Sequence, residues 1–164
     1  MATDMFLVLS NGIKGESVDK NFKDAIEIMS MQWALSQPGT MHSSTGGGAG
    51  KALFQDVTIT KKVDLSSTAL MLAVAHGQHI DKAVISLRKA GEKNNSLVFL
   101  EITLEELLVS NYSVSDALGS DVPMESVSFN FRKIKTVYHR QDTKSGGSAG
   151  KVEMTWNIAA NAEA

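Results

Sequence analysis

Gly50-Lys51 closes the run Gly46-Gly47-Gly48-Ala49-Gly50-Lys51, and a glycine followed by lysine is how a phosphate-binding loop ends. A Walker loop also needs an earlier glycine to make the turn and a Ser or Thr after the lysine to hold magnesium. Those two positions are Thr45 and Ala52. The residues beyond Ala52 have period two, with Leu53, Gln55, Val57 and Ile59 alternating with Asp56, Thr58 and Thr60. That is a strand, whereas nucleotide binding needs a helix N-terminus there. His76 and His79 form an H-x-x-H pair, but Gly77 predicts a helix end between them, so they lose a shared face and no zinc site is expected. Glu105 and Glu106 are adjacent on a strand or turn and point apart, with Glu101 nearby. Ser110, Ser113 and Ser115 lack a Gly-x-Ser-x-Gly elbow. His42 lies in a long loop beside Met41 and is a contact residue rather than a general base. The chain offers no catalytic residues, no cofactor site and no metal site, so the expectation is a protein that is not an enzyme.

The bulk properties narrow the classes further. A chain of 164 residues is expected to form one domain, spanning 1–164, and can bury roughly 70% of its unfolded surface. A net charge of -2 supplies no basic field for nucleic acid. The pairs Lys61-Lys62, Arg88-Lys89 and Lys133-Lys135 have acids nearby and no interleaved aromatics, and predict solvated faces or subunit salt bridges. With zero cysteines there is no disulfide framework, which suits a cytoplasmic product. The N-terminus has neither a basic leader nor a long apolar core, and no apolar run approaches the ~20 residues needed to insert across a membrane.

Alternation dominates the rest. Val127, Phe129 and Phe131 face one way and Ser128, Asn130 and Arg132 the other, until the phase slips at Arg132-Lys133 before Ile134 and Val137. A second slip comes after Ile26 and Ile28, where Met29, Met31, Trp33 and Leu35 become the apolar set. Such slips predict β-bulges, and bulges bend sheets. Further strands fit Ala83-Ile85-Leu87, Val98-Leu100-Ile102-Leu104 and Val152-Met154-Trp156, which together predict a curved barrel or sandwich. One short helix is expected at about 65–76, capped by Asp64 or Ser66 and ended by Gly77, with Leu65, Ala69, Leu72, Ala73 and His76 on its packed face. Turns are expected at Gly91–Asn95 and Asp116–Pro123. Gly146-Gly147-Ser148-Ala149-Gly150-Lys151 echoes the first Gly-rich run and predicts a second flexible hairpin connection.

Two features carry function. The loop 37–51 is long for a compact domain, and such loops are functional arms or disordered. Opposite Met29, Met31, Trp33 and Leu35 stand Ser30, Gln32, Ala34 and Ser36, small or neutral where a solvent-facing strand usually shows lysine or glutamate. That suits a protected, wet surface such as a channel wall.

The chain resembles the Hcp (hemolysin-coregulated protein) family, the tube protein of bacterial type VI secretion systems. The matching stretches, in order, are Asp4-Met5-Phe6, Lys14-Gly15-Glu16-Ser17, Trp33, Ser36-Gln37, Met41-His42, Ala49-Gly50-Lys51, Gln55-Asp56 and Thr60-Lys61. They continue through Arg88-Lys89-Ala90-Gly91, Val109-Ser110, Asn130-Phe131 and Trp156-Asn157-Ile158. The resemblance implies a mainly β fold: a small β-barrel of two curved antiparallel sheets with one lateral α-helix and an extended loop. It implies homohexameric rings that stack into a tube, with sheath proteins, a spike protein and secreted effectors as partners. It also implies residence in the bacterial cytoplasm and then export through the type VI apparatus without a signal peptide. On that reading Pro38, Gly39, Thr40, Met41, His42, Ser43, Ser44, Thr45, Gly46, Gly47 and Gly48 form a ring-stacking arm. Ser30, Gln32, Ala34 and Ser36 line the lumen and meet cargo. The alternatives are a tail-tube protein of a phage-like contractile particle and, in another class, a β-barrel ligand-binding module or enzyme using His76, His79 or the glutamates.

Overall fold

The computed structural model describes residues 3–42, 48, 50–89, 97–142 and 148–164. Two strands of eighteen residues, β8 (Val98–Ser115) and β9 (Met124–Gln141), pair antiparallel along their length and form its spine. Beyond one half of this pair lie β7 (His79–Lys89), β1 (Thr3–Leu9) and β2 (Ile26–Ile28) on the β8 side. On the β9 side of that half lie β10 (Ser148–Asn157) and β11 (Ala162–Glu163). Beyond the other half, β6 (Val57–Lys62) pairs with β9, and β3 (Ser30–Gln32) pairs with β6. A separate ladder joins β4 (Leu35–Ser36) to β5 (Leu53–Phe54).

Bulges let one sheet become two curved layers. Each ladder of β8 carries a register shift, between Leu87 and Arg88 on the β7 side and between Val109 and Asn111 on the β9 side. Glu106 adopts a positive φ of 51°, which turns the strand where it passes from one layer to the other. Met29 marks the second corner: β2 pairs with β1, the Met29 amide donates to the Thr60 carbonyl at 2.8 Å, and β3 continues against β6. The layers wrap a common core without the ladder closing. Leu7, Ile85, Ile102, Leu104 and Ile134 come from one layer, and Val57, Ile59, Val127 and Phe129 from the other; all are at most 2% exposed. The expected slip after Phe131 is present, since Phe131 and Ile134 are both buried.

The expected apolar set after Ile28 is only half inside. Met31 and Trp33 pack on the core, but Met29 and Leu35 are 53% and 49% exposed. Met29 occupies the corner bulge, and Leu35 lies on the outlying β4–β5 ladder.

The helix α1 spans Ser67–His76 and is stopped by Gly77 at φ 59°, where the Gly77 and Gln78 amides donate to the Val74 and Ala73 carbonyls. Its buried face is Ser67, Leu70 and Ala73; of the expected Leu65, Ala69, Leu72, Ala73 and His76 stripe only Ala73 is buried, and Leu65, Leu72 and His76 are exposed. Leu65 and Leu72 are 65% and 57% exposed. The reason is polar: Ser67 must face inward, because it belongs to a buried network.

That network overturns the solvated reading of Lys61. Lys61 and Glu125 are fully buried partners in the β6–β9 register, with Nζ 2.8 Å from Glu125 Oε2 and 2.8 Å from Asp64 Oδ1. The ammonium also donates to the Lys62 carbonyl at 2.9 Å and lies 3.4 Å from Ser67 Oγ. Tyr112 donates its hydroxyl to Glu125 Oε1 at 2.7 Å, and burial together with that carboxylate pushes its phenol well above the ordinary range. Asp64 also accepts from the Ser66 amide and hydroxyl, which fastens the start of α1 to the same cluster.

Arg88 is likewise buried, not solvated. Its guanidinium lies over the stacked rings of Phe6 and Phe22 and donates to Asp19 at 2.6 Å and Asp4 at 3.0 Å. Asp19 sits in the β1–β2 connection, so one side chain ties that loop to β7. The hydrogen bonds from Arg88, helped by the Asn21 amide, hold the Asp19 carboxyl down at about 2.

Both ion clusters can be tested by substitution. Lys61→Ala strands a buried carboxylate and should lower unfolding free energy by about 3–5 kcal/mol, while the paired Lys61→Met/Glu125→Leu change should recover most of it. Denaturant titration checks this; equal losses in both variants would refute the desolvation account. Because the folded pKa of Asp19 lies below its ordinary 3.8, its stabilisation is present above that value and disappears as pH falls from 3.8 towards 2. Asp19→Asn should therefore melt lower than the parent at pH 7, and thermal melts should converge across that acid window.

Candidate assembly and cargo surfaces

The four strands β3, β6, β9 and the second half of β8 alternate strictly. Inward go Ile59, Val57, Val127, Phe129 and the charged pair Lys61 and Glu125. The outward side chains fall into two rows across the sheet. One row is Ser30, Thr60, Ser126 and Ser113, each opposite the next in register; the other is Gln32, Thr58, Ser128 and Asn111. None of the eight is charged. Ser30 and Thr60 share a hydrogen bond at 2.5 Å, and Thr58 and Ser128 share one at 2.8 Å. Hydroxyls paired in this way present a wetted surface with little appetite for nonspecific adhesion.

Charge returns only at the ends of this grid. Lys62 and Met124 lie beyond one end. At the other, Asp56 accepts from Ser110 Oγ at 2.5 Å and Asn130 Nδ2 at 2.7 Å. Among the described residues, β3 pairs only with β6, and Asn111–Ser115 pair only with β9. The grid is therefore bounded by two unpaired strand edges on opposite margins. An exposed edge is a template for another strand.

The structure places Ser30 and Gln32 inside the grid. Ala34 and Ser36 sit past its end, at the root of the loop: the Ala34 carbonyl accepts the Gln55 amide at 3.0 Å, and Ser36 pairs with Leu53. The other six grid residues do not stand out from sequence, although Thr58, Thr60 and Ser128 carry the same signal, a neutral side chain alternating with a buried apolar one.

The loop 37–51 leaves as a two-limbed hairpin. Past the β4–β5 pairing, the Gly50 amide donates to the Pro38 carbonyl at 2.9 Å, Gln37 Nε2 to the Gly50 carbonyl at 2.7 Å, and the Thr40 amide to the Gly48 carbonyl at 3.2 Å. A Cβ on Gly50 would come within 2.9 Å of Pro38 Cγ, so the close limbs require glycine there. Met41 is 82% exposed and His42 is exposed. Ser43, Ser44, Thr45, Gly46 and Gly47 lie outside the described residues, as do Ala49, Gly91–Asn95, Gly146 and Gly147. Phe54 at the root sits 6.3 Å from both Trp33 and Trp156, ring centre to ring centre, so an aromatic clamp fixes the direction in which the hairpin leaves.

Among the described residues no three His, Asp or Glu side chains gather where they could hold a metal ion. His76 ends α1 and His79 opens β7, both exposed. Glu106 pairs with Arg132 and Lys133, which lower its pKa, while Glu105 sits opposite Lys133 in register.

In sequence and in fold the chain is similar to known proteins. Residues 6–138 match the family model described as type VI secretion system effector, Hcp. The chain is 40% identical to protein hcp1 of Pseudomonas aeruginosa over 164 residues, covering 100% of both. Its fold matches a structure described as a type six secretion system protein with a TM-score of 0.91 at 28% identity, covering 99% of this chain and 100% of the other. It matches Hcp1 from Salmonella typhimurium with a TM-score of 0.80 at 32% identity, covering 100% of each.

Proposed function

The chain belongs to the Hcp family of type VI secretion proteins, and we propose that it forms hexameric rings whose wall is the neutral four-stranded grid. As a family member it is a type VI tube and effector protein. The family is one of secreted structural proteins, and among the described residues no helix is long and apolar enough to cross a membrane. The whole chain acts as one tube domain with no catalytic duty. Rings stack inside a sheath and beneath a spike protein, effectors ride in the lumen, and the protein leaves the cytoplasm with them without a signal peptide.

The carrying observation is the grid itself: eight uncharged polar side chains between two unpaired strand edges. Setting one subunit's β3 margin beside the next subunit's β8 margin is a heterologous contact, the kind that closes into a ring. Closure would cover both exposed edges and turn the neutral faces to a shared lumen. Ser30 and Gln32 are then wall residues, while Ala34 and Ser36 lie where the wall meets the arm. The arm from Pro38 to Gly48 reaches the adjacent ring. The limbs of the whole fifteen-residue loop 37–51, at ~3.3 Å per residue, can project on the order of 20–25 Å.

Negative-stain microscopy should show sixfold rings with a central hole, and compact monomers would overturn the reading. Gln32→Glu should leave rings intact yet weaken co-purification of an effector encoded beside the protein by about tenfold, because bound cargo would have to cover a charge on a face otherwise made of neutral contacts. Full retention would remove Gln32 from the wall. Deleting Ser43–Gly48 should spare the hexamer and abolish stacking in sedimentation; tubes of undiminished length would strip the arm of this role.

A further inference from the structure

The arm leaves the molecule at one end of the β3–β6 ladder, and a groove lies at the other. β3 runs from Ser30 to Gln32 towards the arm and β6 returns from Val57 to Lys62, so residues 27–29 and 62–64 meet at the end remote from Gln37–Lys51. There Glu16, Glu27, Met29, Lys62, Val63 and Val122 line an open groove of about 520 Å³. Its apolar part is unusually open to water: Met29 is 53% and Val63 37% exposed. Exposed Glu16 and Glu27 outnumber the single ammonium of Lys62, since the nearby Asp64 is already held by Lys61. The arm has the opposite character. Lys51 is the only Asp, Glu, Lys or Arg between Gln37 and Ala52, and it is exposed, as is the long apolar side chain of Met41.

We infer that this groove is the docking site for the arm of a second copy in the next ring. Met41 of that copy lies against Met29, Val63 and Val122, and its Lys51 faces Glu16 and Glu27. The inference rests on the stacking role of the arm and adds the surface that receives it. Because donor and acceptor occupy opposite ends of one ladder, a copy shifted along the strand direction brings them together without inverting the subunit. Repeating the shift gives an open, head-to-tail stack. The carboxylates supply register and the apolar floor supplies contact area.

Charge exchange tests it. At the concentration where parent rings sediment as tubes, Glu27→Lys and Lys51→Glu should each raise the concentration needed for tube growth by at least about fivefold, and the double exchange should return it to within about twofold. No change for Glu27→Lys, or no rescue in the double variant, overturns the assignment. The chain has no cysteine, so Met29→Cys/Met41→Cys gives an independent reading. Oxidation should give a non-reducing ladder extending past six linked chains; a ladder stopping at six, or none, places the arm elsewhere. The Ser43–Gly48 deletion separates the two failures. If that deletion leaves stacking intact, the arm itself has no such role. If it abolishes stacking while the exchange and the cysteine pair do nothing, only the groove is wrong.

Discussion

Burying an ammonium and a carboxylate on one face of a sheet while keeping the other face free of charge is the constraint on which the rest of this molecule depends. Lys61 and Glu125 lie in register on β6 and β9, wholly shielded, with Tyr112, Asp64 and Ser67 completing their hydrogen bonds. A buried pair is a poor source of stability, because desolvation offsets most of the Coulombic gain. It is a good source of geometry. The charges must meet, so β6 and β9 have one register, and Ser67 must face them, so α1 has one orientation. The face opposite is left to hydroxyls and amides, with Lys62 and Asp56 held to its ends.

The same constraint explains why the sheet bends where it does. A flat sheet of strands as long as β8 and β9 could not cover its own apolar face. The positive φ of Glu106, the shift between Val109 and Asn111, and the corner at Met29 fold one sheet over a common core. They also free the β3 and β8 margins of the grid, because β7 accompanies only the first half of β8 and β1 pairs with β2 but not with β3. Curvature and exposed edges thus have one origin. Natural sheets normally blunt such edges, and leaving two in place beside an uncharged face fits a subunit completed by its neighbours.

Much of this was legible in the sequence, and the exceptions share a cause. Period-two alternation located the β7, β8 and β9 strands and both slips, because burial of one face imposes that period directly; it also located β10, although Val152 and Met154 stay exposed there. Gly77 marked the helix end because a left-handed residue there favours glycine. Lys61, Arg88 and all of the inner face of α1 but Ala73 were missed. In each case a polar group is buried against partners distant in sequence: Glu125 for Lys61, Asp4 and Asp19 for Arg88, and the Lys61 cluster for Ser67. Patterning by hydropathy assigns such residues to water. Of the neutral grid, Ser30 and Gln32 stood out, but the rows they join exist only once β6, β9 and β8 are aligned.

The arm shows how a glycine-rich segment can be both adaptable and directed. Glycine lets its limbs approach closely, as at Gly50 against Pro38, and leaves much of its conformational freedom to be lost when a partner is met. Direction comes from the rigid end. Phe54, fixed between Trp33 and Trp156, ties the root to both layers of the fold, and hydrogen bonding continues from β4–β5 to Thr40 and Gly48. A fixed root makes the direction of the arm a property of the subunit rather than of its surroundings. A stack built from such contacts has a defined polarity, since every subunit offers its arm at one end of the β3–β6 ladder and its corner groove at the other.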